Sequence, residues 1–142
     1  MGDFPRRHPI SRARFFLQLA KRCPVEKRDE FEAYLEASII FGRAALHRFQ
    51  SEHERQSNWK PWWDGLRSNP AVIFFRNERN RILKEGPPKI GQIIRVGGPP
   101  APMATELYYY EDPQTPATDT VEKHLNAVEA LLVEAQSRFS VS

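Results

Sequence analysis

The chain has 142 residues, 40% of them hydrophobic and 27% charged, which fits one globular domain able to bury roughly two-thirds of its unfolded surface. This composition excludes a disordered chain and a protein embedded in bulk membrane. The formal charge of +3 hides a split: residues 1–100 carry 19 basic and 11 acidic side chains, whereas residues 101–142 carry 2 and 7. A basic body of this kind can hold a polyanion or pair with an acidic segment of a second copy.

Cys23 is the sole cysteine, so an internal disulfide and a cysteine cluster for zinc are ruled out. The histidines His8, His47, His53 and His124 show no metal-ligand spacing, and neither a metal nor a cofactor is expected. No run of about 18 apolar residues is present, so no membrane span is expected. The arginine-rich start lacks the long apolar stretch and small-residue cleavage site of a secretory signal, though it is compatible with a transit peptide. The default compartment is the cytoplasm.

Pro5 and Pro9 mark residues 1–10 as a flexible arm, and residues 11–142 read as a single helical domain. A short helix starts at Ser11, with Phe15, Leu19 and Cys23 four apart, and ends at Pro24. A long second helix is expected from about Val25 to about Arg55. Its apolar stripe is Phe31, Tyr34/Leu35, Ile39, Gly42, Ala45/Leu46 and Phe49. Gly42 on that stripe predicts a close approach by another helix. Trp59, Trp62 and Trp63 fall in a short helical stretch. They read better as a lid on the bundle than as a stacking platform for bases, because indoles dominate core burial.

Asn69-Pro70 predicts a helix start, with Asn as the N-cap and Pro in the first turn. The helix continues to Lys84 and is stopped by Gly86-Pro87-Pro88. Residues 89–111 then turn β-branched and aromatic, predicting an inserted β-hairpin of Lys89–Val96 and Thr105–Tyr110. Of the Tyr108, Tyr109 and Tyr110 rings, some should pack and some face out. Asp119-x-x-Glu122 resembles a capping box for the last helix, whose stripe is Val121, Leu125, Val128, Leu132, Ala135 and Phe139. The fold class is therefore mainly α, an antiparallel helical bundle with a short hairpin before its last helix.

The helix from Pro70 carries the candidate site. Arg76, Asn80 and Lys84 are four apart in one row, with Asn77 and Arg79 beside them, while Ala71, Phe74/Phe75, Glu78 and Ile82 occupy the other side. Such a row can be a solvated face, with Glu78 pairing to Arg81. It can also be a cationic cradle for phosphate, with Arg79 donating bidentate hydrogen bonds and Asn80 orienting a neighbour.

Arg79-Asn80-Arg81-Ile82-Leu83-Lys84 resembles the Arg-Asn-x-x-x-His motif of the HEPN superfamily, and the helix order over roughly residues 12–139 is similar. The resemblance implies a small helical bundle that forms a homodimer. It also implies RNA or nucleotide as ligand, and an antitoxin partner of the toxin–antitoxin or defence type. Arg79 takes the place of the family Arg, which contacts the scissile phosphate. Lys84 takes the place of the His, which moves protons at the ribose 2′-hydroxyl. The candidate catalytic residues are thus Arg79 and Lys84, and the candidate substrate-binding residues are Arg76 and Asn80. Lysine has an unperturbed pKa of ~10.4 and is a poor substitute for imidazole near neutrality. Three readings follow. The first is a non-catalytic RNA- or nucleotide-binding protein. The second is an active metal-independent endoribonuclease using Lys84, or His47 or His53 reaching across the bundle. The third is a non-enzymatic dimeric interaction protein whose polar helix face forms the seam.

Overall fold

The computed structural model describes residues 4–92, 107–109 and 112–139. Among them the chain is mainly helical: α1 (Pro9–Arg22), α2 (Arg28–His53), α3 (Trp59–Leu66), α4 (Pro70–Leu83) and α5 (Ala117–Phe139), with β1 (Ile90–Gln92), β2 (Leu107–Tyr109) and β3 (Asp112–Pro116) between the last two helices.

The helices begin and end where local chemistry directs. His8 caps α1 by accepting from the Ile10 amide at Nδ1, 3.1 Å away, and Pro9 supplies the first turn. This start is earlier than Ser11. Ile10 is buried, and Phe4 packs on the His8 ring at 4.5 Å, so the end of the expected arm lies against the body. Asn69 Oδ1 accepts from the amides of Ala71 and Val72 at 2.9 and 3.4 Å, the expected cap of α4.

The other end of α4 closes differently from the sequence reading. Glu85, not Gly86, takes the left-handed backbone conformation, at φ 55°. The Gly86 amide then donates to Arg81 O at 2.9 Å and the Glu85 amide to Ile82 O at 3.1 Å, the paired bonds of a Schellman closure.

The apolar stripes meet in one core. Phe31, Leu35, Ile39, Ala45, Leu46 and Phe49 of α2 are buried against Ala13, Leu17 and Ala20 of α1. Ser38 Oγ donates to Ala13 O at 2.8 Å inside that contact, satisfying both groups without water. Val121, Leu125, Val128, Leu132, Ala135 and Phe139 of α5 are at most 1% exposed. Each such leucine or valine contributes about 1.5–3 kcal/mol by leaving water. The core therefore takes up the whole stripe.

Trp59 is buried and touches Phe49, Trp62 and Phe139 at ring-centroid distances of 5.8, 5.2 and 5.4 Å. It seals the end of the helices, as the lid reading expects.

The strands form a sheet in the order β1-β2-β3, with β1 antiparallel to β2 (Ile90 opposite Tyr109, Gln92 opposite Leu107) and β2 antiparallel to β3. Ile90 and Leu107 are buried, and Arg28 at the start of α2 donates to Ile90 O at 2.8 Å. β3 was not expected, because it contains Pro113 and Pro116. Proline is tolerated there because β3 is an edge strand with no partner needed on its outer side. It runs directly into α5, which begins at Ala117, so Asp119 lies in the first turn rather than at a cap. The expected loop at 97–102, Tyr110, and the side chains of Tyr108 and Tyr109 lie outside the described residues.

Candidate functional site

Gly42 decides the geometry of the site. A Cβ on it would stand 2.5 Å from Phe75 Cε1, so its lack of a side chain lets α2 and α4 touch at this point. Arg43 follows on α2. The contact brings Arg43 within electrostatic reach of Arg76 and Arg79 on α4. Arg67, at the C-terminal end of α3, closes the third side.

The result is a cleft of about 180 Å³ lined by Arg43, Trp63, Leu66, Arg67, Val72 and Arg76. That is several times the ~30 Å³ share of one water molecule. Leu66 and Val72 form its apolar floor and are nearly buried. The indole of Trp63 forms a wall and is held parallel to that of Trp59, with centroids 5.2 Å apart and planes 18° apart.

The electrostatics of this cluster are unbalanced. Arg43 Nη1 is shut off from solvent and has no hydrogen-bond partner. Burial, then the neighbouring Arg79 and Arg76 guanidiniums, hold the Arg43 pKa below its usual value. Among the described residues no carboxylate pairs with Arg43, Arg67, Arg76 or Arg79. A buried donor without an acceptor costs about 1–3 kcal/mol. A bound anion in the cleft would supply the missing countercharge. Guanidinium forks match the oxygens of a phosphate.

The expected residues separate here. Arg76 lines the cleft and Arg79 is half-buried close enough to Arg43 to repel it. Asn80 and Lys84 are exposed and line no part of it, and Lys84 forms the C-cap of α4. Arg81 points the other way. Its side chain is 11% exposed, it pairs with buried Glu78 at 3.2 Å and with Glu36 at 3.8 Å, and it donates to Gly86 O and Pro87 O. It fastens the end of α4 and belongs to no anion site.

No histidine lines the cleft either. His47 is exposed. His53 packs on Phe49 and Phe139 at 4.4 and 5.8 Å. His124 stacks on Phe74 at 4.3 Å, and burial lowers its pKa to about 4, so it is neutral at pH 7.

Sequence reasoning missed Arg43 and Arg67 and gave Trp63 only a lid role. The available signal was Arg43 beside Gly42: a charge next to the point of closest helix approach is drawn against the facing helix. No protein-family model, curated protein or solved structure matches the chain.

Proposed function

We propose that the protein is a HEPN-like RNA- or nucleotide-binding module of the toxin–antitoxin or defence type that binds without cleaving. The observation that carries this reading is the un-neutralised arginine cluster around Arg43, with its buried guanidinium nitrogen lacking an acceptor. Arg43, Arg67 and Arg76 would hold the phosphate, Arg79 would add its charge, and Trp63 would offer a flat face to a base. The absence of cleavage follows from the lining. Guanidinium groups do not relay protons at neutral pH, and the remaining lining groups are apolar or indole. Lys84 is exposed to water and lines no part of the cleft. The homodimer and the antitoxin partner of the same reading come from the resemblance to HEPN proteins, and the cytoplasmic location is the default compartment.

The test uses tryptophan fluorescence, since Trp63 forms part of the cleft. A nucleoside 5′-monophosphate added to the wild type should quench it saturably, and binding should weaken as salt rises. Arg76→Ala should raise the dissociation constant at least tenfold. RNA incubated with the wild type in EDTA should remain intact. Cleavage in EDTA that Lys84→Ala abolishes would favour the endoribonuclease reading. Absence of nucleotide and RNA binding at low salt would favour the interaction protein.

A further inference from the structure

A second basic surface lies on α1. An open groove of about 660 Å³ is lined by Arg6, Arg7, Arg12, Arg14 and Arg22, with Phe15 among them and no acidic residue in the lining. Arg14 is already occupied. It pairs with Glu129 at 2.8 Å and donates to Asn126 Oδ1 at 2.8 Å, tying α1 to α5. Arg6, Arg7, Arg12 and Arg22 are exposed and, among the described residues, pair with no carboxylate. Arg12 and Arg22 are separated by about 15 Å along the helix, a few nucleotides of an extended strand.

Phe15 is 57% exposed, unusual for a ring on a helix whose Ala13, Leu17 and Ala20 are buried in the core. It is also braced. Its ring meets Phe16 edge-on at 5.3 Å, and Phe16 stacks on Phe41 of α2 at 5.8 Å with planes 5° apart. A fixed aromatic face among free guanidiniums is the arrangement by which single-stranded nucleic acid is held: charge tracks the backbone and the ring stacks a base. A membrane surface would call for a wide apolar face beside the basic one, whereas Ile10, Ala13, Leu17 and Ala20 of α1 are buried in the core. An acidic protein segment would give the ring no comparable role.

We infer that the α1 groove binds a single-stranded nucleic acid, with Arg6, Arg7, Arg12 and Arg22 on phosphates and Phe15 stacked on a base. This surface is distinct from the Arg43 cleft and does not depend on it.

The test is a fluorescence-anisotropy titration of the full chain with a 12-nucleotide single-stranded RNA at several salt concentrations. The variants are Arg12→Gln/Arg22→Gln, Phe15→Ala and Arg76→Ala, with Lys60→Gln/Arg138→Gln as a control of equal charge loss. Circular dichroism confirms that each variant folds; all of these side chains are on the surface. The expected result for Arg12→Gln/Arg22→Gln is a loss of affinity and a salt slope shallower by about 1.4, from about 0.7 per phosphate contact on a single strand. Phe15→Ala should lose about tenfold in affinity with its salt slope unchanged. The control should match the wild type.

A mononucleotide cannot span the groove, so its binding should be untouched by the α1 variants and lost in Arg76→Ala. RNA binding that the α1 variants leave intact overturns the inference, whatever the cleft does. The same holds for no RNA binding together with α1-dependent binding to vesicles containing phosphatidylserine. RNA binding through α1 with no mononucleotide binding would instead overturn the cleft reading and leave this one standing.

Discussion

Gly42 lies directly under the ring of Phe75: a Cβ in place of its hydrogen would be 2.5 Å from Cε1 and 2.9 Å from Cζ. Phe75 is fully buried and cannot yield without moving the core. On helix propensity alone, Gly42→Ala should stabilise α2 by about 1 kcal/mol. Overpacking opposes it at about 1–3 kcal/mol. The net expectation is a loss of stability, measured as a lower urea midpoint. Gly42→Ala should also weaken nucleotide binding, because separating α2 from α4 carries Arg43 away from Arg76. A midpoint that rises would show that the contact is slack.

Glu85 presents the opposite case. A residue with a Cβ in the left-handed region costs about 1–2 kcal/mol, and Glu85 sits there at φ 55°. Glu85→Gly should relieve part of that cost while leaving the Gly86-to-Arg81 bond in place. The expected gain is about 0.5–1 kcal/mol, a rise of a few degrees in Tm. Glu85→Ala should give no such rise, which separates backbone strain from charge.

His124 predicts how stability varies with pH. Its folded pKa is lowered to about 4, first by burial and then by Lys123. Its unfolded value is about 6.5. Between these values the unfolded chain binds the proton and the fold does not. Stability from this group is therefore full above pH 6.5 and falls as the pH drops toward 4. His8 acts in the same direction, its pKa lowered first by burial. His124→Phe keeps a ring against Phe74 and removes the titration. Between pH 7.5 and 5 its urea midpoint should fall less than that of the wild type. Equal falls would refute the assignment.

Much of the fold was legible because helices advertise themselves locally. The stripes of α2 and α5, the Asn69-Pro70 cap and the small-residue contact at Gly42 all rest on spacing within one segment. What stayed hidden required information from elsewhere in the chain. β3 is a strand only because β2 lies beside it. Glu85 takes the left-handed position because the Schellman bonds fix the chain there, although Gly86 is the residue that propensity would choose.

The site divides in the same way. Arg76 and Arg79 were found from one helix, whereas Arg43 and Arg67 join them from α2 and α3 through packing. Arg81 shows the limit of reading a row of like charges. Its neighbours in sequence are cationic, but its partners in space are Glu78 and Glu36.

The proposed HEPN-like reading can be tested at Lys84, the exposed C-cap of α4. If loss of the motif His explains loss of activity, Lys84→His should produce weak RNA cleavage in EDTA. General acid–base catalysis typically contributes ~10²–10⁴-fold, enough to register in a fluorogenic assay. Arg79→Ala added to Lys84→His should remove the signal, since Arg79 would stabilise charge developing on the phosphate. An inactive Lys84→His variant that still binds RNA would detach the motif from the chemistry and leave the Arg43 cleft as the working site.

Arg43 supplies the prediction that separates a binding role from a structural one, because the two have opposite signs. A structural arginine stabilises the fold, and its removal lowers the midpoint. Arg43 instead has a buried donor without an acceptor and faces the repulsion of Arg79 and Arg76. Arg43→Met retains much of the apolar stem and removes the charge. It should raise stability without ligand by about 1 kcal/mol, as replacing unfavourably buried charge by an apolar group often does. The same variant should lose nucleotide binding. A ligand at one hundred times its dissociation constant stabilises a folded protein by about 2.7 kcal/mol. A saturating nucleoside monophosphate should therefore raise the wild-type midpoint and leave that of Arg43→Met unmoved. The measurement is a urea titration of both proteins with and without nucleotide. A less stable Arg43→Met protein that still responds to nucleotide would make Arg43 a structural residue and remove the basis of the anion site.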